Sequence, residues 1–124
     1  MPKRILIVDD EQDLVDLLSL RLESAGYTVE VAYDGEEGLK MALASQPDLI
    51  LLDVLMPKLD GYQVCRELRK NPATMKVPVI FLSAHAREAD RHKGLEAGGS
   101  DYIAKPFELT ELLKTIGSYV GHEG

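Results

Sequence analysis

Cysteine and long apolar segments are scarce in this sequence of 124 residues. Its one cysteine, Cys65, excludes a disulfide within the chain and is typical of a reducing compartment. Cys65 lies in a helical pattern between Val64 and Leu68, which predicts a small buried hydrophobic residue rather than a reactive thiol. Only four aliphatic residues follow the basic pair Lys3-Arg4, too few for a signal-peptide core or a membrane span. These absences predict a cytoplasmic protein that does not enter a membrane.

Positive charge is also in short supply. The sequence has 14 lysine and arginine residues against 21 aspartate and glutamate residues, for a net charge of −7. This balance predicts that the chain does not bind nucleic acid directly. No glycine-rich phosphate loop is present, because Gly98-Gly99 follows a predicted helix rather than a strand. Repeats and linkers are missing too, which predicts a single domain over residues 1–124 with a core of about residues 3–120.

The sequence does contain three unbroken apolar runs, at residues 5–8, 49–52 and 79–82. Such runs are typical of strands that are buried on both faces. Two mixed segments, at residues 28–31 and 101–104, predict edge strands. Helical patterns alternate with these five segments, which favours a parallel sheet with helices on both faces. The prediction is a flavodoxin-like, doubly wound α/β fold of five βα units with strand order 2-1-3-4-5.

Two of the helical patterns differ in how apolar they are. In the first helix, four leucines form one predicted buried stripe: Leu14, Leu17, Leu18 and Leu22. The fourth helix, at about residues 88–97, is weakly apolar, with Ala89 and Leu95 as its main hydrophobic residues.

Polar residues stand where the predicted strands end. They are Asp9 and Asp10 after the first strand, Asp53 after the third, Ser83 after the fourth and Lys105 after the fifth. Alone, an aspartate after a strand is most often a turn residue. Together these residues lie at one edge, because the carboxyl ends of parallel strands open on the same side.

Three carboxylates at that edge require compensation. Two unit charges about 4 Å apart repel by roughly 4 kcal/mol at an effective dielectric constant near 20. Mg²⁺ suits a site with few carboxylates, several waters and phosphate oxygens. The alternative is an acidic pocket with raised pKa values and no physiological metal. With Mg²⁺, Asp53 as nucleophile, Ser83 and Lys105 make a phosphoryl-transfer site, where the phosphoryl group arrives on another molecule.

Five short motifs follow one another in order along the chain. They are Ile7-Val8-Asp9-Asp10-Glu11, Leu52-Asp53-Val54-Leu55-Met56-Pro57, Asp60-Gly61, Leu82-Ser83-Ala84 and Lys105-Pro106-Phe107. In these motifs the chain resembles the receiver domain of bacterial two-component response regulators, in particular the single-domain, chemotaxis-regulator-like members. The resemblance implies that Asp53 accepts a phosphoryl group from a sensor histidine kinase or a histidine phosphotransfer protein.

The same resemblance implies roles for the neighbouring residues. Asp10, Asp53 and the backbone carbonyl of Leu55 would hold Mg²⁺, with Asp9 helping through a water molecule. Ser83 and Lys105 would contact the phosphoryl group.

A conformational switch is also implied by the resemblance. Ser83 and Tyr102 are the switch residues, and the peptide bond before Pro106 is expected to be cis. Phosphorylation is expected to draw in the loop of Ser83 and let Tyr102 rotate from an exposed to a buried position. The surface of the fourth helix, fifth strand and fifth helix would then change and control an output partner.

Two side chains are predicted to set the lifetime of the phosphorylated form. Leu55 lies two residues after the acceptor and can only exclude water, which predicts slow hydrolysis. His85 lies two residues after Ser83 and either orients that water or is a solvated bystander.

Two other classes of protein fit the sequence less well. A haloacid dehalogenase-type hydrolase needs a second aspartate two residues after the nucleophile, where this chain has Leu55. A flavin-binding protein needs a hydroxyl-rich phosphate loop where Asp9-Asp10 would repel an anion. We therefore expect a phosphorylation-switched regulator rather than an enzyme with a diffusible substrate. It catalyses only its own phosphoryl transfer and slow autodephosphorylation, either as a stand-alone protein or as a domain of a larger one.

Overall fold

The computed structural model describes residues 2–121, in which five strands alternate with five helices. The strands are β1 (Arg4–Val8), β2 (Thr28–Ala32), β3 (Leu49–Asp53), β4 (Val79–Ser83) and β5 (Asp101–Ala104). The helices are α1 (Gln12–Ser24), α2 (Gly35–Ser45), α3 (Gly61–Lys70), α4 (Glu88–Glu96) and α5 (Leu109–Val120). All strand pairs are parallel in the order β2-β1-β3-β4-β5, which confirms the predicted flavodoxin-like fold. Residues 1 and 122–124 of the predicted domain lie outside the described part.

Two hydrophobic cores lie on opposite faces of the sheet. Because side chains alternate along a strand, Leu6 and Val8 of β1 face α2 and α3, whereas Ile5 and Ile7 face α1 and α5. Every residue of β3 and β4 is buried, as expected for central strands covered by helices on both faces. Each fully buried aliphatic side chain contributes about 1.5–3 kcal/mol relative to exposure. Cys65 lies in the first of these cores, as predicted.

The predicted stripe of α1 is wrong at one position. Val15, Leu18 and Leu22 are buried, whereas the side chain of Leu17 is 50% exposed. The buried residues follow the spacing i, i+3, i+7, and Leu17 lies about 100° around the helix from Leu18. Leu17 therefore belongs to the surface of the domain.

Helix α4 buries few hydrophobic side chains, in keeping with its weakly apolar sequence. Ala89 is exposed and Leu95 is 69% exposed, and the one buried residue of this helix is Gly94. A Cβ atom on Gly94 would lie 2.8 Å from Cδ2 of Tyr102, so a larger residue there would push the helix away from the sheet. Few apolar side chains hold α4 to the domain.

The loop between β3 and α3 is fixed by a capping box. The Asp60 carboxylate accepts a hydrogen bond from the backbone of Gln63, whose side chain in turn accepts one from the backbone of Asp60. Such a cap contributes about 1 kcal/mol. Gly61 passes so close to the Asp53 carbonyl oxygen that a Cβ atom would collide with it. These contacts hold the chain that follows Asp53 against the end of the strand.

No helix within residues 2–121 combines the length and the apolar character that crossing a membrane requires.

Candidate functional site

The strand register brings the predicted site residues together. Val8 lies opposite Leu52, so Asp9 and Asp53, which follow them, are neighbours at the same edge of the sheet. Asp53 itself lies opposite Leu82, which places it beside Ser83. Ser83 lies opposite Ala104, which is followed by Lys105.

Asp9, Asp10 and Asp53 form a cluster in which one carboxylate oxygen from each lies within 4.8 Å of the others. Asp9 and Asp53 are buried, whereas Asp10 is exposed. Two oxygen ligands of the same Mg²⁺ lie at most about 4.2 Å apart, because each bond is about 2.1 Å long. The three carboxylates are therefore close enough to share one magnesium ion, either directly or through a water molecule.

The electrostatic environment of Asp53 is unfavourable to its own charge. Burial of the carboxylate, together with the nearby charges of Asp9 and Asp10, raises its pKa to about 6, although Lys105 opposes the shift. The residue is only 6% exposed, so water screens these charges poorly. A cation at this site relieves that repulsion.

Lys105 contacts three carboxylates. Its Nζ lies 2.8 Å from Oδ2 of Asp9, 2.8 Å from Oε1 of Glu11 and 3.5 Å from Oδ1 of Asp53. Burial alone would lower the pKa of Lys105, but its hydrogen bonds with Asp9 and Glu11 raise it overall. The Lys105–Pro106 peptide bond is cis.

Glu11 was not among the predicted site residues. It follows Asp9-Asp10 directly, and a third acid in this run was the available signal. The direction of its side chain is set by the start of α1, which the sequence pattern does not specify. There the Glu11 backbone N–H donates a hydrogen bond to Oδ1 of Asp9.

Ser83 is buried at the end of β4, and its hydroxyl oxygen accepts a hydrogen bond of 2.9 Å from the backbone N–H of His85. The side chains of His85 and Leu55 are exposed, the latter by 57%. The structure therefore places both predicted lifetime residues on the loops that border Asp53, with His85 held through its backbone.

Tyr102 differs from expectation. Its side chain was expected in an exposed position before rotating inward, but the structure places it inside, with 7% exposure. The hydroxyl donates a hydrogen bond of 2.6 Å to the carbonyl oxygen of His85 and lies 2.9 Å from the hydroxyl of Tyr62. These polar contacts and the Phe81 ring, 5.7 Å away between centroids, favour the buried position. Tyr62 was missed because its sequence position indicates only the start of a helix.

The flavodoxin-like sheet carries an acidic cluster at its carboxyl edge that could bind a metal ion and is consistent with phosphorylation. A family model for the response regulator receiver domain matches residues 5–117. The chain belongs to this family, the receiver domains of two-component systems.

Curated relatives agree. The chain is 49% identical over 112 residues to the alkaline phosphatase synthesis transcriptional regulatory protein PhoP of Bacillus subtilis, covering 90% of this chain and 46% of the relative. It is 44% identical over 113 residues to the DNA-binding dual master transcriptional regulator RpaA of Synechocystis, covering 91% of this chain and 47% of that relative. The chain thus spans about half the length of the curated relatives it matches.

Solved structures share the whole fold. The chemotaxis protein CheY4 of Vibrio cholerae is 30% identical, with a TM-score of 0.91 over 96% of this chain and 99% of that one. The receiver domain of the sensor histidine kinase PA1611 from Pseudomonas aeruginosa is 36% identical, with a TM-score of 0.90 over 98% and 99% of the two chains. That structure is described with a magnesium ion coordinated in its active-site cleft.

Proposed function

We propose that Asp53 is the residue on which this receiver domain accepts a phosphoryl group. The observation that carries the proposal is the position of its carboxylate, buried among two other acids and 3.5 Å from the Lys105 ammonium. A buried carboxylate whose charge is poorly compensated is characteristic of functional sites. It is also a nucleophile that the domain presents at the open edge of the sheet.

Magnesium is the cofactor that this donor set suits. Asp10, Asp53 and the backbone carbonyl of Leu55 would hold it, with Asp9 acting through a water molecule. All of these ligand atoms are hard oxygen donors, which Mg²⁺ prefers. When bound, the ion supplies positive charge that stabilises the phosphoryl oxygens during transfer.

The chain's own residues account for the remaining chemistry. A carboxylate oxygen of Asp53 forms the new bond to phosphorus while the bond between phosphorus and the donor nitrogen breaks. Lys105 neutralises one phosphoryl oxygen, and the Ser83 hydroxyl donates a hydrogen bond to another. In a separate step, water attacks the phosphorus, the bond between phosphorus and the Asp53 oxygen breaks, and the Asp53 carboxylate and inorganic phosphate are released. The domain thus catalyses its own modification and slow autodephosphorylation, and it does not turn over a separate diffusible substrate.

The phosphoryl donor is a histidine on a sensor kinase or a histidine phosphotransfer protein. An apolar groove of about 420 Å³ opens beside Lys105, lined in part by Leu17, Pro106 and Phe107. Glu11 and Lys105 line the same groove, so we expect a protein that delivers a phosphoryl group to Asp53 to contact it. The exposed side chain of Leu17 would then lie in that contact.

The output surface is formed by α4, β5 and α5. Tyr102 links this surface to the site, because its hydroxyl bonds to the loop that follows Ser83. The output partner is a protein that binds the surface of α4, β5 and α5 differently before and after phosphorylation. Because the net charge is −7, we do not expect the chain to contact DNA itself.

The proposal is tested by incubating the protein with Mg²⁺ and a small acyl phosphate. We expect a mass increase of one phosphoryl group, which hydroxylamine removes because the bond is an acyl phosphate. The increase should be absent from Asp53→Asn, in which the side chain keeps its shape but loses the nucleophile. A phosphoryl group that persists in Asp53→Asn would point to another acceptor, such as Asp60 or Ser83, and would contradict the proposal.

A further inference from the structure

Tyr62 joins three parts of the domain through one hydroxyl group. It is the second residue of α3, and its hydroxyl lies 2.9 Å from that of Tyr102 in β5. The same hydroxyl lies 3.1 Å from the carbonyl oxygen of Asp90 in α4. Tyr102 in turn donates to the carbonyl of His85. A chain of hydrogen bonds therefore runs from α3 and α4 to the loop after β4.

This chain reaches Ser83 through one residue. The backbone N–H of His85 donates to the Ser83 hydroxyl oxygen at 2.9 Å, and its carbonyl accepts from Tyr102 at 2.6 Å. His85 is thus held on both sides of its backbone. A displacement of the Tyr102 hydroxyl therefore removes one of the hydrogen bonds that hold His85 next to the proposed phosphoryl site.

The two tyrosine hydroxyls have fewer protons than contacts. Tyr102 uses its proton on the short bond to His85, so the bond between the hydroxyls requires the proton of Tyr62. The same proton can instead serve the carbonyl of Asp90. When Tyr62 donates to Tyr102, the Tyr102 hydroxyl accepts one hydrogen bond while it donates another to the His85 carbonyl. In such a chain the two hydrogen bonds strengthen each other.

Helix α4 depends on Tyr102 as well. The guanidinium of Arg91 donates to the Tyr102 carbonyl at 2.9 Å and lies 5.6 Å from the centroid of its ring. Gly94 is the one buried residue of this helix and lies directly against the same ring. A shift of the Tyr102 ring therefore removes much of what attaches α4 to the domain.

The ring of Tyr62 is positioned independently of its hydroxyl. Its centroid lies 5.3 Å from that of Phe81, which also contacts Tyr102. Burial, followed by the hydrogen bond with Tyr102, raises the pKa of Tyr62, so the hydroxyl keeps its proton at neutral pH. Removing the oxygen alone leaves the ring packing in place.

We propose that Tyr62 is a positioning residue of the receiver switch, whose hydroxyl holds Tyr102 inward against the His85 carbonyl. It thereby favours the arrangement of the Ser83 loop and of α4 that a phosphoryl group on Asp53 requires. The inference rests on the proposed function, because the position of Ser83 matters only if Asp53 is the acceptor. The Tyr62 hydroxyl favours the inward position of Tyr102 in the unphosphorylated protein as well, so this effect can be measured without phosphorylation.

The experiment compares Tyr62→Phe, Tyr102→Phe and the double variant with Tyr119→Phe. Tyr119 is the matched control. Its hydroxyl is hydrogen-bonded to Ser100 and to Asp101, whose carboxylate also accepts from the backbone N–H of Tyr102, and it contacts neither of the two tyrosine hydroxyls. Aromatic NMR signals of labelled tyrosine report the position of the Tyr102 ring and are assigned with Tyr102→Phe. The rate of Asp53 phosphorylation by a small acyl phosphate is measured in parallel.

In Tyr62→Phe we expect the ratio of inward to outward Tyr102 to fall about three- to tenfold, the loss of one hydrogen bond. Phosphorylation of Asp53 should slow by up to the same factor, and Tyr119→Phe should match the wild type in both measurements. In the Tyr102→Phe background, adding Tyr62→Phe should slow phosphorylation no further, because the hydroxyl that Tyr62 holds is already gone.

An unchanged Tyr102 signal in Tyr62→Phe would overturn the inference. So would an equal slowing in the Tyr102→Phe background, which would indicate a general structural effect. If the proposed function is wrong, the wild-type protein will not be modified at Asp53. The Tyr102 signal would still test the role of Tyr62 in that case.

Discussion

The Lys105 ammonium lies closer to the Glu11 carboxylate, at 2.8 Å, than to the Asp53 carboxylate that it is proposed to serve, at 3.5 Å. Glu11 is mostly exposed whereas Lys105 is largely buried, so Glu11 competes with Asp53 for the ammonium from the open side of the site. Asp9 holds the same ammonium from the buried side at 2.8 Å. Contact with a phosphoryl group on Asp53 therefore requires Lys105 to give up part of this pairing.

Replacing Glu11 by glutamine is expected to speed phosphorylation. The substitution removes the competing charge but keeps an oxygen that can accept a hydrogen bond from Lys105. An exposed ion pair contributes up to about 1 kcal/mol, so the rate with a small acyl phosphate and saturating Mg²⁺ should rise by up to about fivefold. The measurement is the initial rate of phosphoprotein formation.

Glu67→Gln is the matched control for this prediction. It removes an exposed carboxylate that pairs with Lys70 at 2.9 Å on α3, outside the acidic cluster and the Lys105 contacts. Its rate should equal that of the wild type. A slower rate in Glu11→Gln would mean that Glu11 orients Lys105 productively and would contradict the competition.

The raised pKa of Asp53 predicts how stability changes with pH in the metal-free protein. The pKa rises from 3.8 to about 6 on folding, chiefly because the carboxylate is buried. The stability that the protonated Asp53 contributes is complete only well below the unfolded pKa of 3.8, where both states are protonated. It is lost as the pH rises through the folded pKa near 6. Asp53→Asn cannot ionise, so its advantage over the wild type should grow over this window to at most about 3 kcal/mol.

Urea denaturation in the presence of a chelator, at several pH values from 4 to 8, measures this difference. Asp16→Asn, on the exposed face of α1, is the control and should stay within about 0.5 kcal/mol of the wild type. Added Mg²⁺ should narrow the gap for Asp53→Asn. A gap that shrinks as the pH rises would refute the assigned origin of the pKa shift.

The sheet could be predicted from the sequence because β1, β3 and β4 are buried on both faces and leave an unbroken apolar pattern. The buried residues of the helices were harder to predict. In α1 the four leucines suggested a stripe that included Leu17, but Val15 takes the buried place, since rotation about the axis is set by packing. In α4 the contact is made by Gly94, and a residue without a side chain leaves no hydrophobic signal.

The part of the candidate site that lies at the ends of strands could be predicted from the sequence. Asp9, Asp53 and Ser83 follow directly from strand boundaries, so their convergence needs only the parallel topology. Glu11 and Tyr62 lie one turn or one helix away. Their contacts depend on where long side chains reach across loops, and pattern and spacing do not encode such distances.

Magnesium binding is expected to depend on Asp10 and not on Glu11. Asp10 belongs to the cluster of three carboxylates, whereas Glu11 is engaged by Lys105. In a Mg²⁺ titration followed by the amide signals near Asp53, Asp10→Ala should weaken binding at least about tenfold, a loss typical of a removed ligand. Glu11→Gln should change it less than about threefold, within what an exposed charge contributes. Equal affinity in Asp10→Ala and the wild type would remove Asp10 from the proposed ligands.

The lifetime of the phosphorylated form is predicted to depend on the side chain of Leu55. It is 57% exposed on the loop after β3 and offers no hydrogen bond to an attacking water. Asparagine of similar size could orient that water, and a barrier lowered by about 1.4 kcal/mol corresponds to a tenfold faster decay. We therefore expect Leu55→Asn to lose its phosphoryl group faster than the wild type by up to about that factor.

His85→Ala is the comparison, because its backbone contacts with Ser83 and Tyr102 survive the substitution and only an exposed imidazole is removed. Decay is followed after removal of the acyl phosphate, with Mg²⁺ held constant. We expect His85→Ala to stay within about twofold of the wild type. Decay that is unchanged or slower in Leu55→Asn would show that water exclusion by Leu55 does not set the lifetime.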